Sequence, residues 1–138
     1  MNEINENRVY VPKGWGYEDW IVNTPLYCGK DLFLKKGKRL SLHYHALKDE
    51  TFYIQSGEVE LRYYLNPDVD KNFKSWEDFD HILCYPLYGI CSPTLVAGDS
   101  FHIPVGMRHT LTGLMDSHIF EFSTQHFDSD SIRVLKGD

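Results

Sequence analysis

Residues 37–57 read GKRLSLHYHALKDETFYIQSG, and this stretch decides both the fold and the chemistry expected of the chain. Polar and apolar residues alternate through its first half with the period of two that is typical of a β-strand, so His43 and His45 lie on the same face. Glu50 follows after a loop that can fold back on the strand. Two imidazoles and a carboxylate that converge from a hairpin are typical of half of a divalent-metal site.

A second stretch, GDSFHIPVGMRH at residues 98–109, offers a further ligand. It predicts a strand, a turn at Pro104 and Gly106, and then His109 at the start of the next strand. His109 is therefore the candidate for the fourth ligand of the metal site.

The rest of the chain predicts short strands separated by turn residues, with one short helix over 71–80. One of these strands, over 81–88, contains a proline, so we expect it at a sheet edge or at a bulge. Many short strands with almost no helix indicate an all-β sandwich or barrel. The expected strands outside the two quoted stretches are 9–11, one that follows a turn within 14–22, 32–34, 58–65, 81–88, 94–96 and 118–124.

The length of 138 residues corresponds to one domain, which we place at residues 9–138. Residues 1–8 are polar, and we expect them to form a disordered N-terminus. No stretch approaches the roughly 18 apolar residues of a membrane span, and no signal-peptide pattern precedes the first strand. These observations predict a cytoplasmic protein.

Charge and cysteine content exclude several classes of partner and site. The formal net charge of −6 argues against nucleic acid and against an anionic membrane, since both attract clustered Lys and Arg. The three cysteines lack the spacing of a zinc site and are too few for a disulfide framework, so we expect free thiols in a reducing compartment.

The two quoted stretches resemble the two motifs of the cupin superfamily. The first motif is a Gly, five residues, His-x-His, three or four residues, Glu, six residues and Gly, and the chain has at these intervals Gly37, His43, His45, Glu50 and Gly57. The second motif is matched by Gly98, Pro104, Gly106 and His109, with Gly113 where Asn is usual. The resemblance implies an all-β cupin double-stranded β-helix, a jelly-roll barrel, with one short helix or excursion between the motifs that could shape a lid.

The resemblance also implies a cofactor, one divalent transition metal such as Mn, Zn, Fe, Co or Ni. Its ligands would be His43, His45, Glu50 and His109.

Further segments resemble the cupin domain of bifunctional, type II mannose-6-phosphate isomerases. They are PKGWGYEDW at 12–20, KGKRLSL at 36–42, and EFS at 121–123 with DSDSIR at 128–133 in the tail. One departure is His43, where that family commonly carries Gln, and the nucleotidyltransferase domain of the bifunctional enzymes is absent from this chain.

This second resemblance implies an aldose–ketose isomerase that acts on a sugar phosphate similar to mannose 6-phosphate, through a metal-stabilised enediol. Such a reaction needs a Lewis acid and a positioned base. The candidates for the catalytic base are Glu60, His102 and Glu121. A phosphorylated substrate also needs cationic donors, for which the candidates are Arg39, Lys48 and Arg133.

Two other functions fit the same ligands. Three His and one Glu also suit an iron-dependent dioxygenase that acts on a small organic substrate, and a non-catalytic module could use the site to bind a sugar or a metal. In each case the expected partner is a small molecule. By analogy with other small cupins, we also expect a homodimer.

Overall fold

The computed structural model describes residues 4, 7–82 and 88–138. Strands β1 to β11 span Val9–Lys13, Gly16–Asn23, Cys28–Leu34, Leu42–His45, Glu50–Ser56, Glu58–Tyr64, Thr94–Val96, Ser100–Ile103, Arg108–Gly113, Ser117–Ser123 and Ser131–Leu135. The helix α1 spans Trp76–Ile82, and 3-10 helices span Pro67–Asn72 and Asp128–Asp130. The expected all-β jelly-roll fold is confirmed.

The strands form two antiparallel sheets. The first has the order β1-β2-β3-β10-β5-β8, and the second has the order β11-β4-β9-β6-β7. Pro12 lies in β1, at an edge of the first sheet, where its missing N–H interrupts no ladder. Non-consecutive strands are neighbours in both sheets, so the two halves of the chain interleave across the fold.

Alternation along the strands fills the space between the sheets with apolar side chains. Leu32 and Leu34 of β3, Ile54 of β5, Leu61 of β6 and Leu111 of β9 are all buried there. Burial of such side chains contributes roughly 1.5–3 kcal/mol each to folding. This apolar cluster fills part of the interior, and the remainder is lined by polar groups.

Gly57 shows why the first motif ends on glycine. It joins β5 to β6 with φ of +92°, and a Cβ atom there would lie 2.7 Å from Cα of Ser117. A side chain at this position would clash with the backbone of β10, so only glycine fits the turn.

The excursion between the two motifs covers the outer face of the second sheet. Its residues Val69, Phe73 and Phe79 are buried against Leu42 and Tyr64 of that sheet. Asn66 caps the 3-10 helix, since its side chain accepts a hydrogen bond from N–H of Asp68. The described part of the excursion therefore packs on the outside of the barrel and does not form the lid that the sequence suggested.

Two expectations about chain segments differ from the structure or fall outside it. The strand expected over 81–88 is wrong at His81 and Ile82, which end α1, because the preceding Ser75 accepts a hydrogen bond from N–H of Asp78 and starts a helix. Most of that segment, like most of 1–8, lies outside the described residues. None of the helices in the described ranges is long and apolar enough to cross a membrane.

Candidate metal centre

Three histidines from two neighbouring strands meet inside the barrel. His43 and His45 project inward from β4, and His43 is paired in register with His109 of β9. One ring nitrogen of each lies within 4.8 Å of the others. These three residues therefore form a group that can hold a metal ion.

Hydrogen bonds fix which nitrogen of each ring is free. The Nδ1 atoms of His43, His45 and His109 lie 3.0, 3.0 and 2.9 Å from the carbonyl oxygens of Ser41, Asp130 and Met107. A carbonyl oxygen can only accept, so Nδ1 of His45 and Nδ1 of His109 carry a proton and donate it. Nδ1 of His43 also lies 3.0 Å from Oγ of Ser41, and it carries a proton when it donates to the Ser41 carbonyl. In this tautomer each Nε2 keeps its lone pair for a metal, and the bond at Nδ1 fixes the ring orientation.

Glu50, at the start of β5, flanks the three histidines. Its Oε1 lies 3.0 Å from Nε2 of His109, and its Oε2 lies 3.6 Å from Nε2 of His45. Among the described residues, neither carboxylate oxygen nor Nε2 of His109 has a hydrogen bond of acceptable geometry, although all three atoms are buried. Acceptors held this close need a shared cation, and a divalent metal fits because further imidazole lone pairs converge on the same place.

The protonation states also suit a divalent cation. Burial, and then the neighbouring His109 and His45, hold the pKa of His43 well below its usual range, and burial lowers the pKa of His45 to about 4. Burial opposes ionisation of Glu50, but its neighbours, the ammonium group of Lys48 among them, outweigh it, so the pKa of its carboxyl is lowered. Neutral imidazoles beside an ionised carboxylate are the ligand forms that a metal requires.

A cavity of about 820 Å³ opens beside the histidines and contains two other predicted residues, Lys48 and Glu121. Both are buried, and Nζ of Lys48 donates to Oε2 of Glu121 at 2.9 Å and lies 3.3 Å from Oε2 of Glu50. Burial disfavours the charged amine, but Glu121 and Glu50 raise the pKa of Lys48 above its usual range. Lys48 thus connects the candidate base to the candidate metal ligand.

The other predicted residues divide between the cavity and the outer surface. Arg133 lines the cavity. Arg39 instead pairs with Asp80 at 3.1 Å and does not line it. Glu60 accepts a hydrogen bond from Nε of Arg62 on the outer face of β6, and His102 is an exposed residue of β8 that contacts Asp49. The structure therefore brings Glu121, but neither Glu60 nor His102, to the cavity.

Several polar residues at the site were not identified from the sequence, among them Lys30, Glu18, Asp130 and Lys136. Lys30 and Glu18 line the cavity, and the carboxylate of Asp130 accepts hydrogen bonds from three successive N–H groups of the loop that carries Lys48. Lys30 had a detectable signal, because it occupies an inward position of β3 two residues before Leu32. Asp130 had none, since it lies more than 80 residues from the loop that it holds.

Comparisons with known proteins give matches at the level of structure. No protein-family model matches the chain, and no curated protein matches its sequence. CapF from Staphylococcus aureus, a capsular polysaccharide assembling protein, superimposes with a TM-score of 0.70 at 17% identity, over 96% of this chain and 33% of CapF. The chain thus spans about a third of the length of CapF.

Two further structures show the same likeness. KdgF from Halomonas sp. gives a TM-score of 0.64 at 16% identity, over 94% of this chain and 98% of KdgF. Oxalate decarboxylase from Lactobacillus farciminis gives 0.69 at 13% identity, over 96% of this chain and 36% of that one. All three are cupin-fold proteins, and the chain, with two interleaved antiparallel sheets around three inward histidines, has the cupin fold.

Proposed function

We propose that the protein is a metal-dependent aldose–ketose isomerase that acts on a sugar phosphate. The observation that carries the proposal is the position of Glu121, a buried carboxylate that lines the same cavity as His43 and His45. An isomerase needs a base and a Lewis acid that reach one substrate at once. The likeness to CapF, a capsular polysaccharide assembling protein, supports a carbohydrate substrate.

The residues proposed to hold the metal are His43, His45 and His109, with Glu50 as the fourth ligand. When bound, a divalent metal would polarise the carbonyl and hydroxyl oxygens of the sugar and so acidify the proton on the adjacent carbon. Mn, Zn, Fe, Co and Ni all accept this combination of imidazole and carboxylate ligands.

Glu121 is the proposed base. Its Oε2 accepts a hydrogen bond from Lys48, and its Oε1 has no hydrogen-bond partner among the described residues, so Oε1 is available to a substrate. In the aldose-to-ketose direction, Glu121 takes the proton from C2 and returns it to C1, while the hydroxyl proton moves from O2 to O1. Substrate and product are isomers, and no other reactant is consumed.

Lys48 positions Glu121 and Glu50 in this scheme, because its ammonium group already forms ion pairs with both carboxylates. The phosphate would instead be bound by Arg133, which lines the cavity together with Lys136. Neither side chain has an ion pair or hydrogen bond within the ranges that the structure describes. Both can therefore reach an incoming phosphate without breaking an existing pair.

The test is an isomerase assay on protein loaded separately with each of the five metals, with D-mannose 6-phosphate and D-fructose 6-phosphate as substrates. We expect interconversion without oxygen uptake, and we expect Glu121→Gln to lower kcat by about 10²–10⁴-fold at unchanged metal content. Stoichiometric oxygen uptake with Fe(II) would instead support the dioxygenase. Sugar binding without turnover in every metal form would support the binding module, and either result would overturn the proposal.

A further inference from the structure

Two buried lysines line the cavity, and their surroundings differ. Lys48 is 3% exposed, and its Nζ is surrounded by Glu121 at 2.9 Å, His126 at 3.2 Å and Glu50 at 3.3 Å. Lys30 is equally buried, at 3% exposure, but its Nζ makes one long contact, 3.4 Å to Oε1 of Glu18. An ammonium group has three protons to donate, so within the described ranges Lys30 keeps two donors without a protein acceptor.

The strand register places Lys30 next to the proposed base, while its ammonium group contacts Glu18 and Trp20 of β2. In the first sheet Lys30 is directly opposite Glu121 of β10 on one side and Trp20 of β2 on the other. Neighbouring strands lie about 4.8 Å apart, so Lys30 is one strand away from the proposed base. Its Nζ also lies 4.3 Å from the centre of the Trp20 ring.

Glu18 adds an acceptor beside this donor. Its Oε1 receives the Nε1 proton of Trp20 at 2.8 Å, whereas its Oε2 is 3.7 Å from Lys13, too far for a hydrogen bond. Burial opposes ionisation, but Lys30, Trp20 and Lys13 outweigh it, so the pKa of Glu18 is lowered and the group is a carboxylate. A free acceptor therefore lies next to the two free donors of Lys30.

We propose that Lys30 and Glu18 form a hydroxyl-binding subsite that holds the sugar chain beside Glu121, at carbons beyond those that exchange the proton. This subsite rests on the proposed function for its sugar substrate. A hydroxyl group both donates and accepts, so it can donate to Glu18 and accept from Lys30. A fully ionised phosphate or a carboxylate could accept from Lys30 but has no proton to donate to Glu18, so a neutral hydroxyl, which uses both groups, is the better ligand.

The first experiment measures binding directly. The metal-loaded full chain is titrated with D-mannose, D-fructose and their 6-phosphates and observed by protein NMR, and the titration is repeated with deoxy analogues of whichever sugar binds. We expect removal of one particular hydroxyl to weaken binding by about 10- to 100-fold, the usual cost of leaving charged groups without their partner.

The variants assign that hydroxyl to the subsite. In Lys30→Met, the intact sugar should bind about 10-fold or more weakly, and the deoxy analogue should bind as weakly as the intact sugar. Glu18→Gln, which keeps an oxygen for the Trp20 bond and leaves Lys30 in place, should show the same loss of discrimination if Lys30→Met fails to fold. Lys38→Met, which removes an exposed lysine outside the cavity, is the matched control and should keep the full discrimination.

Unchanged discrimination in folded Lys30→Met and Glu18→Gln would overturn the subsite, and so would the absence of binding by all four sugars. The failure of the isomerase proposal looks different. A sugar that binds with the expected dependence on Lys30 but is never isomerised would overturn the isomerase and leave the subsite standing.

Discussion

Arg108 and His109 are neighbours on β9 and point to opposite faces of the second sheet. The two side chains differ in how many of their polar atoms have hydrogen-bond partners. On the outer face, the guanidinium of Arg108 donates to both carboxylate oxygens of Asp70 and to the carbonyl oxygen of Gly106, and it stacks 3.6 Å from the centre of the Tyr44 ring. On the inner face, Nε2 of His109 is buried and has no hydrogen bond to any residue that the structure describes.

The difference separates structural from functional burial of polar groups. A buried polar group without a partner costs about 1–3 kcal/mol, so a group that serves only stability is normally satisfied, as Arg108 is. Three atoms on the inner face, on Glu50 and His109, lack a hydrogen bond within the described residues, although Lys48 lies 3.3 Å from one of them. These atoms therefore mark the place where a ligand would supply the missing partner. The predictions below change one face at a time.

The largest expected effect comes from the inner face. We predict that His45→Ala or His109→Ala lowers the affinity for a divalent metal by more than about 100-fold, since even loss of a group that only orients a metal ligand costs 10–100-fold. Metal content after dialysis against a competing chelator measures the effect. His118→Ala, which removes a histidine that contacts Asp31 away from the cavity, is the control and should retain the metal. Full occupancy in either of the first two variants would contradict the metal centre.

The outer face should respond in the opposite way. We predict that Asp70→Ala lowers the free energy of unfolding by about 3 kcal/mol, because it leaves Arg108 and the hydroxyl of Tyr64 without their acceptor. Metal affinity of the folded protein should stay within about 3-fold of the parent. Urea unfolding and a metal titration on the same samples check both values, and a large loss of metal affinity would show that the two faces are coupled.

Asp130 touches both the metal centre and the loop that precedes Glu50, so its effect should be intermediate. Its carboxylate accepts from N–H of Ala46, Leu47 and Lys48, and its carbonyl accepts from His45. Substitution by Ala keeps the carbonyl but removes the three acceptor contacts that hold the loop before Glu50. We predict that Asp130→Ala costs about 2 kcal/mol of stability and weakens metal binding about 10-fold through this loop. Asp130→Asn keeps one acceptor oxygen and should fall between that variant and the parent in both measurements, whereas a stability loss with no change in metal affinity would show that the loop does not position Glu50.

The comparison of the two faces also explains how far the sequence alone could lead. Alternation along residues 39–45 places His43 and His45 on one face, because strand parity is a local property of the chain. The pairing of β4 with β9 joins residues that are distant in sequence, and the resemblance to the two cupin motifs is what brings His109 to them. The sequence predicts Lys48 as a cationic donor to a phosphorylated substrate. Its burial depends on Asp130, which reaches the loop from the far end of the chain and leaves no local trace.

A residue whose place in the alternation predicts burial can still be assigned to the surface because of its chemical type. Lys30 continues the inward series of Leu32 and Leu34 and would have been found by strict parity, but a lysine is ordinarily assigned to the surface. Conversely, Arg39 is four residues before His43, so strict alternation would place both side chains on the same face. Arg39 lies outside β4, however, and the alternation of side-chain directions holds only within a strand. Strand parity therefore predicts positions inside a strand better than positions at its ends.

Arg39 gives the smallest expected effect and completes the contrast with Arg133. Its guanidinium pairs with Asp80 at 3.1 Å and lies 4.2 Å from the centre of the Trp76 ring, in a partly exposed setting that we expect to contribute no more than about 1 kcal/mol. We predict that Arg39→Met leaves KM for a sugar phosphate within about 2-fold of the parent, whereas Arg133→Met raises it about 10-fold or more, because only Arg133 lines the cavity. Steady-state kinetics of the two variants side by side checks the prediction. An increase in KM confined to Arg39→Met would indicate that the phosphate binds at the outer edge of the second sheet and not in the cavity. The substrate would then also enter from that edge.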